Sequence, residues 1–141
     1  MNIRPFEIKD SDAVEQLWKE VFPDDPPHNA PQKVIHDKMS VQKELFFVAE
    51  DGGSIIGTVM SGYDGHRGWL YTVAVKPEYR HKGVGRQLVG HAVTALSNIG
   101  CPKVNLQVRS TNTEVVAFYK SLGFSTEDRI SMGKRLEEGN V

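Results

Sequence analysis

Cysteine is almost absent. Cys101 is the only one in 141 residues, so no internal disulfide can form, and its neighbours Gly100 and Pro102 offer neither a second thiol nor the spacing of a metal site. It is expected to be a small buried hydrophobe. His28, His36, His66, His81 and His91 are scattered without the short recurrent spacing of zinc ligands, so no metal is expected. Long apolar runs are also missing. Arg4, Glu7 and Asp10 interrupt the first ten residues, so no signal peptide or membrane span is expected there and the chain is expected in the cytoplasm. Neither sign of charge dominates: 17 basic residues face 18 acidic ones, for a net charge of -1. Such a chain has no global field to hold a nucleic-acid backbone or an anionic membrane. There is no internal repeat and no low-complexity tract.

What is present is the composition of one ordinary globular domain spanning residues 1–141, with 39% hydrophobic and 25% charged residues. Residues 2–6 suggest a short strand. Residues 11–21 suggest a helix with Ala13, Val14, Leu17, Trp18 and Val21 on one face. Residues 22–31, with four prolines, two aspartates and an asparagine, form a loop, and residues 31–39 a short second helix with Val34, Ile35 and Met39 inward. A hairpin follows: strands 45–50 and 54–63 flank the turn Asp51-Gly52-Gly53. After a polar turn at residues 64–68, strand 69–75 is rich in β-branched and aromatic residues and stops at Lys76-Pro77.

From Val84, the apolar positions Leu88, Val89, Ala92, Val93 and Leu96 repeat at helical spacing until Gly100 and Pro102 end the helix. Residues 103–108 are expected as a fifth strand. Asn112 or Thr113 caps another helix, with Val115, Tyr119 and Leu122 on one face and Gly123 at its end. Residues 124–135 leave room for one or two closing strands. A helix crossing between the fourth and fifth strands makes those two parallel within an otherwise antiparallel sheet.

The chemistry concentrates in Arg80-His81-Lys82-Gly83-Val84-Gly85-Arg86, between the fourth strand and the long helix. Two glycines let a ligand approach the main chain, and the helix start offers unpaired amides and the positive end of its dipole. Arg80, Lys82 and Arg86 add charge suited to a pyrophosphate. By itself a G-x-G turn is equally a simple helix start. No Lys-Ser or Lys-Thr pair follows as in a Walker loop, and the third glycine of the dinucleotide fingerprint is missing.

The run from Ala74 through Val75-Lys76-Pro77-Glu78-Tyr79 to Gly83 and Gly85 resembles motif A of the GNAT N-acetyltransferases. Asn112 followed by Phe118-Tyr119-Lys120-Ser121-Leu122-Gly123-Phe124 resembles their motif B. Together the two blocks and their strands cover about two thirds of the chain. The turn at residues 62–68 is also similar to that of the small bacterial YpeA-type acetyltransferases. The resemblance implies an α/β (α+β) GNAT fold: a mixed, mostly antiparallel sheet of six or seven strands, a central parallel pair splayed around the cofactor, and about four flanking helices.

It further implies an acetyl-CoA-dependent acyltransferase that moves an acetyl group to a primary amine of a small metabolite or peptide N-terminus, by direct attack in a ternary complex. The pantetheine arm of acetyl-CoA would lie along the main chain of Val73, Ala74 and Val75. Arg80, His81, Lys82, Gly83, Val84, Gly85 and Arg86 would hold the pyrophosphate, and Asn112 would meet the cofactor beyond the splay. Tyr119 matches the family's general acid, which protonates the departing thiolate; packing on the apolar face is its competing role. Some relatives carry a glutamate base on the fifth strand in a Leu-Glu-Val-Arg setting, where this chain has Leu106-Gln107-Val108-Arg109. Gln107 accepts no proton. Asp64 and His66 are the candidate base or water relay, with Glu20 a weaker one. The loop at residues 22–31, with Trp18, Asp24 and Asp25, is expected to shape the acceptor pocket. The expected partners are acetyl-CoA and an amine, with no nucleic acid and no membrane, on a monomer or homodimer. The alternative activity is an acetyl-CoA or CoA sensor with little transfer.

Overall fold

The computed structural model describes residues 1–24, 26 and 30–136. They fall into two compact units, one within residues 1–107 and the other within residues 108–136, each described by itself. Asp25, one of the acceptor-pocket candidates, and His28 lie outside the described residues.

In the first unit β1 (Asn2–Pro5), α1 (Ser11–Val21), α2 (Pro31–Lys38), β2 (Phe46–Asp51), β3 (Ser54–Tyr63), β4 (Gly68–Val75), α3 (Val84–Asn98) and β5 (Val104–Asn105) follow one another. The strands form one sheet in the order β1-β2-β3-β4-β5. The first four are antiparallel neighbours, and β5 runs parallel to β4, as the crossover helix requires.

Both faces of the sheet are covered, which is why Phe46, Phe47, Val48 and Ala49 on β2 are all buried rather than alternating. On one face Val14, Leu17 and Trp18 of α1 and Ile35 of α2 pack on Phe46, Val48, Met60 and Ala74. Phe6 stacks on Phe46 with ring centroids 4.5 Å apart, and Trp18 stacks on the same ring at 5.8 Å. Ala13, expected inward, is exposed. On the other face α3 buries Val84, Leu88, Val89, Ala92 and Leu96, and His91 meets the edge of Phe47 at 4.5 Å.

One charged pair fastens β1 to the start of α1. Arg4 donates to both carboxylate oxygens of buried Asp10, at 2.8 and 2.9 Å, and the amide of Glu7 donates to Asp10 Oδ2 at 2.9 Å. The guanidinium also reaches Glu50 on β2 at 3.4 Å. These donors hold the Asp10 carboxyl below its ordinary range, the bond from Arg4 contributing most and burial opposing it.

The second unit holds α4 (Thr113–Ser121). Asn112 is its cap, accepting from the amide of Val115 at 3.3 Å, as one of the two expected capping residues. Two expectations are corrected. The sheet has five strands among the described residues, not six or seven, because residues 124–136 join no ladder; Ile130 and Met132 there are each 90% exposed. β5 is two residues long rather than six, since a strand extends only as far as its neighbour accompanies it, and β4 parts from it early.

Candidate functional site

β4 and β5 pair only where Gly68 meets Val104 and Trp69 meets Asn105. From residue 70 to its end at Val75, β4 has no ladder partner on that side among the described residues. The junction is tight: a Cβ built on Gly68 would fall 2.7 Å from Cys101 Sγ and 3.2 Å from a Leu96 methyl. Cys101, expected to be buried, is half-buried, and its thiol reaches the Lys103 carbonyl at 3.3 Å. Val73 and Val75 are half-buried and Ala74 buried; Ala74 and Val75 pair with β3 on one side, and on the other side this stretch joins no ladder among the described residues.

The open stretch is also kinked. Thr58 pairs with Ala74 and Met60 with Tyr71, so Thr72 and Val73 together stand opposite Val59 alone, a β-bulge. Thr72 sits at φ 49°, a left-handed conformation rare for a β-branched residue and costing about 1–3 kcal/mol. Its carbonyl accepts from Thr58 Oγ1 at 2.9 Å, and Thr58 Oγ1 accepts in turn from Trp18 Nε1 at 2.9 Å. Trp18 is thereby a core residue, 3% exposed, and not a wall of a surface pocket.

Beyond β4, a single turn of 3-10 helix (Pro77–Tyr79) leads into the loop that the sequence singled out. His81 at φ 63° and Gly83 at φ 83° are both left-handed, separated by Lys82. Alternation of this kind turns successive amides toward one concave side, a nest for an anion. A Cβ built on Gly83 meets no protein atom within 4 Å, so glycine is needed there for its dihedral angle and not to relieve a clash within the chain. Gly83 is the N-cap of α3, and no side chain caps that end. The amides of Val84, Gly85 and Arg86 have no carbonyl one turn earlier in the helix. Arg80, His81, Lys82 and Arg86 are exposed around them, with Lys82 Nζ 5.5 Å from the centre of the Tyr79 ring. No acidic residue occupies the first turn of α3.

α3 is seated by Gly57 of β3: a Cβ there would lie 2.8 Å from Leu88 Cδ1, 3.0 Å from the Ala74 carbonyl and 3.3 Å from Val84 Cγ1. Sequence reasoning missed Gly57, although a glycine in the middle of a strand signals close approach.

The turn between β3 and β4 carries the candidate proton relay. Asp64 Oδ1 accepts from the amides of His66 and Arg67, both at 2.7 Å, and these bonds lower the Asp64 carboxyl below its ordinary range. Asp64 is thus foremost a turn former, and both it and His66 are exposed. Glu20 is exposed on α1, and Gln107 closes the first unit.

In the second unit Tyr119 is 8% exposed, with Phe118 and Phe124 edge-on at 5.0 and 5.6 Å. Burial pushes the phenol up to about 12, so it keeps its proton throughout the physiological range.

Residues 11–124 match the family model described as the acetyltransferase (GNAT) family. The chain belongs to the GNAT acetyltransferase family. An acetyltransferase of Yersinia pestis (strain Pestoides F) is 42% identical over 138 residues, spanning 96% of each protein. Among solved structures, the PaiA N-acetyltransferase of Thermoplasma acidophilum in complex with coenzyme A has the same fold, with TM-score 0.79 and 23% identity over 92% of each chain. So does an aminoglycoside N-acetyltransferase in complex with CoA, with TM-score 0.78 and 20% identity over 95% of this chain and 93% of that one. This GNAT chain is an acyltransferase. Among the described residues no helix is long and apolar enough to cross a membrane, and no cluster of three metal-ligating side chains occurs.

Proposed function

We propose that the chain is one N-acetyltransferase domain, acting in the cytoplasm, that transfers an acetyl group from acetyl-CoA to a primary amine of a small metabolite or a peptide N-terminus. The observation that carries this is the adjacency of two features in the first unit: an edge of β4 released from β5, and, directly after it in the chain, an uncapped helix start ringed by cations. A diphosphate fits the second and an extended amide-bearing arm fits the first. The cradle that Gly83 leaves beside the amides, which any Cβ would narrow, suits a group that must come close to main chain.

In this scheme Arg80, His81, Lys82, Gly83, Val84, Gly85 and Arg86 hold the diphosphate. Val73, Ala74 and Val75 hold the arm, and Asn112 contributes a further cofactor contact. The bound co-substrate supplies an activated acetyl group on sulfur. The amine nitrogen attacks the thioester carbonyl, the carbon–sulfur bond breaks, and the sulfur leaves with its electron pair, taking a proton from Tyr119. Attack needs a neutral amine. An α-amino group with pKa near 8 is about one-tenth neutral at pH 7, against about one molecule in 10³ to 10⁴ for a lysine. With Gln107 where relatives place a glutamate, low-pKa amines are the favoured acceptors, and His66 with Asp64 relays the proton through water.

Gln107 also favours a second reading, an acetyl-CoA sensor with little transfer. Free-thiol release from acetyl-CoA over an amine panel separates the two: amine-dependent release supports the enzyme, and CoA binding without release from any amine supports the sensor.

A further inference from the structure

We infer that Trp18 and Thr58 are positioning residues for the cofactor arm, acting through the kink in β4. The inference rests on the proposed passage of that arm along Val73, Ala74 and Val75.

Thr72 holds a left-handed φ of 49° that a β-branched residue does not keep unaided. Something must over-determine it, and the contact present is the hydrogen bond from Thr58 Oγ1 to the Thr72 carbonyl, 2.9 Å long. A hydroxyl has one proton, and it can be spent in more than one direction. Here its direction is fixed, because the indole nitrogen of Trp18 can only donate. Trp18 Nε1 occupies the acceptor side of Thr58 Oγ1 at 2.9 Å, which leaves the hydroxyl proton for Thr72. Thr58 is fully buried and Trp18 is 3% exposed, so water does not compete at the link between them, and the link to the half-buried Thr72 starts from a hydroxyl that is itself out of water. The indole is itself held by stacking on Phe46. The chain therefore runs from a rigid core ring, through one hydroxyl, to the carbonyl of the residue that makes the bulge.

Thr72 and Val73 are the two residues facing Val59 alone, and Val73 opens the stretch assigned to the arm. The orientation of the peptide groups on that stretch depends on the bulge keeping its shape. A simple core bond between α1 and β3 would stabilise the fold without affecting one part of a ligand more than another. A positioning device makes a sharper demand: its loss should weaken contacts made to β4 and spare those made at the start of α3.

The test compares two ligands by titration calorimetry: acetyl-CoA, and adenosine 3′-phosphate 5′-diphosphate, the nucleotide half that reaches only the loop at residues 80–86. Thr58→Val preserves volume and removes both hydrogen bonds. It is expected to weaken acetyl-CoA binding about tenfold and to leave the nucleotide half within about twofold, while Thr58→Ser recovers the acetyl-CoA affinity. Trp18→Phe should repeat the pattern more weakly, and it decides the matter if Thr58→Val does not fold. Val14→Ala, a cavity in the same core, should lower the melting temperature and change neither affinity. Equal losses for both ligands, or unaltered acetyl-CoA binding in Thr58→Val and Trp18→Phe, would overturn the inference and leave the cofactor reading standing. Failure of the unaltered protein to bind either ligand would remove that reading, and the inference with it.

Discussion

Gly57 and Leu88 touch so closely that a single added carbon would place them 2.8 Å apart. This contact seats the first turns of α3 against β3 and so fixes where the unpaired amides of that helix stand. The added methyl of Gly57→Ala would also press on the Ala74 carbonyl at 3.0 Å, and main chain cannot swing aside as a leucine tip can. Overpacking of this kind costs about 1–3 kcal/mol, to be read as a lowered urea midpoint. Affinity for CoA should fall with it, because the helix start moves.

Asp10 governs acid stability. Its carboxyl is held below the ordinary value of 3.8, chiefly by Arg4, so the stabilisation is present above that value and is lost as pH falls through the depressed folded one. Asp10→Asn leaves Arg4 without its main partner and should cost about 2–4 kcal/mol at pH 7. Melting curves from pH 7 to pH 2.5 should show the unaltered protein losing more stability over the acid range than the variant does.

Tyr119→Phe removes the proposed acid and keeps the ring contacts with Phe118 and Phe124. Thiolates leave tolerably without help, so turnover should drop about 10- to 100-fold, with acetyl-CoA affinity nearly unchanged. Since burial pushes the phenol up to about 12, its proton is not lost below that pH. Turnover of the unaltered enzyme should accordingly climb from pH 6 to pH 9 as the amine is deprotonated, with no alkaline fall near 10 from loss of the acid.

Much of the architecture was legible locally. α1 (Ser11–Val21) and β3 (Ser54–Tyr63) begin and end where periodicity and turn residues put them, because Val14, Leu17 and Trp18 repeat at helical spacing and Gly52-Gly53 closes a hairpin. The motif residues at 80–86 lie together at the start of α3, as expected. What local pattern could not supply depended on partners distant in the chain. A strand exists only if a neighbour pairs with it, and so β5 shrank to Val104–Asn105 and residues 124–136 joined no ladder. Trp18 looked available to a pocket, yet its indole bonds to Thr58, forty residues away. Nor does any residue type announce the left-handed turn at Thr72.

The β3–β4 turn offers a test of the relay. Asp64 serves the turn through one oxygen, which an asparagine retains, so Asp64→Asn should keep the turn and the melting temperature while, without a carboxylate to assist the relay, lowering turnover about tenfold at pH 7. His66→Ala should reduce it about tenfold at pH 7 and less at pH 9, where more of the amine is already neutral. The check is initial rates of thiol release at the two pH values; equal losses at both would assign His66 a structural role.

The central claim is that main-chain amides at the start of α3 and on the released edge of β4 hold coenzyme A. Backbone amide resonances followed by ¹H–¹⁵N correlation spectroscopy during a CoA titration test it most directly. Binding as proposed shifts the amides of residues 82–86 and 73–75 most, with a common saturation curve. Saturable shifts confined to other parts of the chain, or no shifts at millimolar CoA, would contradict it.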